Sequence, residues 1–127
     1  MNLILHGRPI TKKNSQRLVS CGGRPRILPS ERYTEYAKNC KFQIRLSGME
    51  NMRIAAPINL KCVYYMPTKH RVDLVNLLEA TCDILVDSGV IQDDNCKIVA
   101  SHDGSYVTYD KYDPRVEISI TPANVEV

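Results

Sequence analysis

Between residues 73 and 88, apolar side chains recur at helical spacing, and this stretch constrains the fold more than any other. Leu74, Leu77, Leu78, Thr81 and Leu85 form the stripe. Asp73 suits the N-cap or the first turn, where the helix dipole favours a carboxylate, and Gly89 suits the position just past the end. Strand-like segments lie on both sides. Ile58, Leu60, Cys62 and Tyr64 alternate between Pro57 and Pro67, and residues 97–101, 106–109 and 115–121 also read as strand, the last with Val116, Ile118 and Ile120 on one face.

The first half repeats the scheme. Residues 2–6 make a short strand ended by Gly7 and Pro9, and a long polar loop then runs to Ser30, with a hairpin turn available at Gly22-Gly23. Ser30, after Pro29, suits the N-cap of a second helix over residues 31–46 that stops near Gly48. Tyr33, Tyr36, Ala37, Cys40 and Ile44 form its apolar side, and Lys38, Lys41 and Arg45 lie on the other. The expected fold is α+β: a small mixed sheet with two main helices in the order β-α-β-α-β-β.

At 127 residues, without repeats or an internal linker, the chain is expected to be one domain, 1–127, with a basic loop at 7–30, an acidic motif at 73–94 and a frayed tail at 122–127. No apolar run approaches the ~20 residues of a membrane span, and the N-terminus lacks the apolar stretch of a signal peptide. The five cysteines are widely spaced with no C-x-x-C pair, so reduced thiols and a cytoplasmic setting are expected.

Charge is divided along the chain. Residues 1–72 hold fourteen Lys and Arg against three acids, and residues 73–127 hold three against eleven. A half that attracts polyanions is thus joined to a carboxylate-rich half. Mutual attraction of the halves accounts for the same pattern.

Two groups of residues bear on chemistry. Asp73, Asn76, Ala80, Asp83 and Asp87 share a helix face by spacing, and Asp93-Asp94 follow just after the turn at Gly89. If the chain folds back there, one of that pair approaches Asp73. Convergent carboxylates hold hard divalent cations, and magnesium suits phosphodiester cleavage. A solvated helix face followed by an Asp-Asp turn is the plainer reading, and periodicity alone favours it. Asp83 has a second possible partner in a base from the first half. The other group is the basic loop, with Arg8, Lys12, Lys13, Asn14, Arg17, Arg24 and Arg26, whose side chains suit phosphate contacts, or simply solvent. No phosphate-binding loop or dinucleotide fingerprint is present, so no nucleotide cofactor is expected.

The segment DLVNLLEATCDILVDSGVIQDD resembles the DLDNLxKxxxDAL…G…DD signature of the RusA-type Holliday junction resolvases of bacteria and their prophages. PITKKNSQR and PSERYTEY resemble phage-type members, and the likeness extends from about Leu3 to Thr121. It implies a homodimeric endonuclease, bacterial or phage-encoded, that uses magnesium, or manganese in its place, to make paired nicks in opposing strands of a four-way DNA junction. The first motif acid falls on Asp73, the motif Asn on Asn76, the helix acid on Asp83 and the acidic pair on Asp93 and Asp94. Asp73 and Asp94 then become the catalytic candidates, and these two with Asp93 and Asp83 the metal ligands. Lys12, Lys13, Asn14, Arg17, Arg24, Arg26, Lys69 and Arg71 become DNA contacts. Val75 stands where the signature has a second acid, and Glu79 stands where it often has Lys. The same ancestry therefore also admits a branched-DNA-binding protein with weak or no cleavage.

Overall fold

A computed structural model describes residues 1–12, 17–28 and 30–123, and in it each main helix starts at a capping side chain. The chain runs β1 (Asn2–His6), β2 (Arg17–Cys21), β3 (Arg24–Leu28), α1 (Glu31–Ser47), β4 (Ile58–Met66), α2 (Leu74–Asp87), β5 (Val99–Ser101), β6 (Tyr106–Tyr109) and β7 (Arg115–Pro122). The Ser30 hydroxyl accepts the Tyr33 N–H at 3.1 Å to open α1, and Gly48, in the left-handed region, closes it. Asp73 opens α2 in the same way, accepting the Val75 N–H at 2.9 Å.

The main sheet has the order β1-β7-β4, with β5 and β6 both pairing along the far edge of β4. β7 is antiparallel to both of its neighbours, so β1 and β4 point the same way. β5 pairs with the start of β4 and β6 with its end, both parallel. The sheet is therefore mixed, as expected, and three strands follow α2, one for each strand-like segment read there, where the expected order counted two. β2 and β3 form a separate hairpin. Its Gly22 and Gly23 both have positive φ, which a two-residue turn of this hand requires.

Leu3, Leu5, Ile58, Leu60, Cys62, Tyr64, Val116, Ile118 and Ile120 from the sheet join Tyr36, Cys40 and Ile44 of α1 and Leu77, Ile84 and Leu85 of α2 in one core cluster. The period-2 alternation of the strands sends these residues to one side, and the helices cover that side. Where β4 ends, α2 begins. Tyr64 and Thr81 lock the two together with a buried hydroxyl–hydroxyl bond of 2.7 Å.

β7 extends to Pro122, and the Ala123 N–H donates to the Pro57 carbonyl at 3.1 Å, so the first two residues of the expected fray are held. Residues 124–127 lie outside the described residues. No helix among the described residues is long and apolar enough to cross a membrane.

Candidate functional site

The acidic motif begins where α2 begins. The Asp73 side chain is exposed, with one oxygen holding the Val75 N–H and the other open to solvent or a ligand. Val75, in the first turn, is 66% exposed. The position of the missing acid is thus outside the core, and a carboxylate there would meet water. Asn76 is half-buried and Glu79 exposed.

Sharing a helix face does not make these acids converge. Asp73 and Asp83 are ten residues apart, roughly 15 Å along the axis at 1.5 Å per residue. The face is also not open to solvent along its length, because Ala80 is buried and the acids beyond it meet bases. Asp83 pairs with Lys12 at 2.9 Å, and Asp87 pairs with Lys41 of α1 at 3.3 Å. The Lys12 ammonium also lies 5.5 Å from the centroid of the Tyr33 ring. Burial, then the charges of Asp83 and Asp87, push the Tyr33 hydroxyl well above its ordinary range. A proposed DNA contact, Lys12, and a proposed metal ligand, Asp83, therefore engage each other.

The Asp93-Asp94 pair forms a tight polar turn. Asp93 accepts the Asp94 N–H at 2.7 Å and the Asn95 side-chain amide at 3.1 Å, and these bonds hold its carboxyl below the usual range. Asp94 is shifted the other way, first by desolvation, then by its neighbour Asp93 and the charge of Asp83. The buried Cys82 thiol is pushed up to about 12, by burial first and then by Asp94 and Asp83. Asp94 thus acts electrostatically on the second half of α2, at Cys82 and Asp83.

The donors are hard carboxylate oxygens, the right chemistry for magnesium. Their placement is not a ready site. Among the described residues, no group of three or more His, Cys, Asp or Glu side chains is placed to hold a metal ion. A preformed cation site in a single chain does not fit this arrangement.

Of the expected DNA contacts, Lys13 and Asn14 lie outside the described residues, as do the side chains of Arg17, Arg24 and Arg26. The backbone of those three arginines lies in the β2–β3 hairpin. Lys69 is exposed, its ammonium 5.3 Å from the centroid of the Tyr109 ring. Arg71 opens onto a cavity of about 160 Å³ that it shares with Arg8, Arg32 and His70. Sequence reading passes over Arg32 and His70. The signal for them is topological: β1 and β4 are parallel and each leads to a helix, so residues at both strand exits and both helix starts meet at one end of the sheet.

No curated protein matches the chain. The family model for endodeoxyribonuclease RusA matches residues 6–121, nearly the whole described fold and all of the acidic motif. The chain belongs to the RusA endodeoxyribonuclease family.

Proposed function

We propose that this RusA-family chain is an endonuclease that resolves four-way DNA junctions by paired nicks, working as a homodimer with magnesium, or manganese in its place. The observation that carries the reading is the family match over residues 6–121, which takes in Asp73, Asp83, Asp93 and Asp94 together. A twofold dimer suits a substrate with near-twofold symmetry, since each protomer then faces one of two opposing strands. The setting this implies is the bacterial cytoplasm, from a host or phage gene.

Within that reading, each protomer contributes a cationic surface and an acidic one. Lys69 and Arg71, on the segment between β4 and α2, neutralise backbone phosphates and set the position of the strand. Asp73 is exposed at the same end, in reach of a strand held there. Asp94 and Asp93 close the other part of the motif. Among the described residues of one chain, no three carboxylates are grouped to hold that cation, and no step is routed through it.

A second reading has an observation of its own in its favour. With Val75 exposed at the position of the second motif acid, and no three-carboxylate group among the described residues, the chain fits a protein that binds branched DNA without cutting it. A cleavage assay on a synthetic four-way junction, with and without magnesium, separates the two. Divalent-dependent symmetric nicks support the enzyme, and a bound but intact junction supports the binding protein.

A further inference from the structure

Three arginines line one cavity at the end of the sheet where β1 and β4 exit. Arg8 follows β1, Arg32 lies in the first turn of α1, and Arg71 stands two residues before the α2 cap. With Thr11, Thr68 and His70 they line the cavity of about 160 Å³. Four other cations of this chain are held in ion pairs: Lys12 with Asp83, Lys41 with Asp87, Arg45 with Glu50, and Arg115 with Asp110 and Glu117. Among the described residues, Arg8, Arg32 and Arg71 form no ion pair. Glu31 and Glu35 line the adjoining groove with Arg8 and Arg32, not this cavity.

Three like charges around one hollow repel each other unless an anion sits between them. The starts of two helices border the hollow, and their dipoles favour the same sign of ligand. The volume is below the ~300–1,000 Å³ of a small-molecule pocket, so it suits a compact anion. Arginine forks match phosphate oxygens two at a time.

We infer that this cavity is a phosphate seat, with Arg8, Arg32 and Arg71 as its contacts, and that it holds one backbone phosphate of a DNA strand beside Asp73. The identity of the strand rests on the DNA reading above, and free phosphate is the other source of the same chemistry. Thr68 and His70 also line the next groove, with Lys69 and Tyr109, so a strand leaving the seat meets a further cation and an aromatic ring. The seat fixes the register of the strand and reads no sequence.

Two measurements on the full chain test it. The first is four-way junction affinity against salt for wild type, the double variant Arg8→Gln/Arg32→Gln, and Arg53→Gln, whose side chain is exposed ahead of β4 at the opposite end of the sheet. The double variant should bind about tenfold more weakly near 0.1 M salt, with a log–log slope lower by roughly one to two units, and Arg53→Gln should match wild type. The second is NMR titration of each protein with inorganic phosphate. Saturable shifts of the Arg8, Arg32 and Arg71 Nε–H signals in wild type, absent from the double variant at Arg71, support the seat. A double variant that melts with wild type and binds the junction with unchanged affinity and slope overturns its role on DNA, whatever phosphate does. If wild type binds no DNA, the DNA reading fails by itself and the phosphate titration alone decides the seat: no saturable shift overturns it.

Discussion

Replacing Asp73 by Asn keeps an oxygen that accepts the Val75 N–H, and Asn caps helices as well as Asp does. The variant should therefore melt with wild type, whereas Asp73→Ala should lose about 0.5–2 kcal/mol of stability. On the enzyme reading, Asp73→Asn and Asp94→Asn each abolish cleavage and leave junction binding intact or tighter, since fewer negative charges face the phosphates. Nicking at wild-type rate by both would remove them from the site. Val75→Asp is the complementary gain. At 66% exposure the new carboxylate stays hydrated, and in the first turn it meets the favourable end of the dipole, so stability should change by no more than about 0.5–1 kcal/mol. Cleavage at limiting magnesium should rise, and Glu79→Lys should add to it. If the Val75→Asp protein folds normally and cuts no better, position 75 is not part of the reacting site.

At the scale of elements, the contact that docks α2 onto β4 has a direction. The Thr81 hydroxyl donates to the Leu77 carbonyl at 3.0 Å, so its single proton is used and the Tyr64 O–H is the donor between them. Tyr64→Phe then leaves only an oxygen lone pair unfilled and should cost about 0.5–1.5 kcal/mol. Thr81→Val strands a buried donor and should cost more, about 1–3 kcal/mol, with the double variant losing less than the sum in denaturant melts. At the β6–β7 turn, Arg115 bonds Asp110 at 2.9 Å and holds its carboxyl below the usual range. A depressed carboxylate stabilises the fold above its unfolded pKa and ceases to as pH falls through the folded one. Asp110→Asn should thus be less stable than wild type at neutral pH, and the difference should shrink to nothing only once pH has fallen below the depressed folded-state value of Asp110. The helix boundaries were legible because caps are local: Ser30, Gly48, Asp73 and Gly89 act within a turn of themselves. Gly89 carries more than its cap, since a Cβ there would lie 2.6 Å from the Asn51 side-chain oxygen and 3.1 Å from its Cα, and Gly89→Ala should cost more than about 1 kcal/mol.

Over the whole molecule, the charge division of the sequence is used in two ways. Part of it closes the fold, as Lys12 meets Asp83 and Lys41 meets Asp87 across the halves. Part of what remains lies at one end, where Arg8, Arg32 and Arg71 line one cavity. Sequence periodicity places Asp73, Asp83 and Asp87 on one face, yet it says nothing of distance along the axis, and that is why the shared face is not a cluster. Nor does it place Arg32 and Arg71 on one cavity, which follows from the parallel order of β1 and β4 and from no local signal. The family, by contrast, was readable from the motif, because acid, Asn, Leu, Asp and Asp-Asp recur in order. The most direct test of the proposed activity is strand-by-strand cleavage of a four-way junction, each arm labelled in turn, by the wild-type protein with magnesium and with chelator. Paired nicks at symmetric positions in two opposing strands, lost on chelation, are the expected result; a junction that the protein binds tightly and leaves intact in all four strands would contradict it.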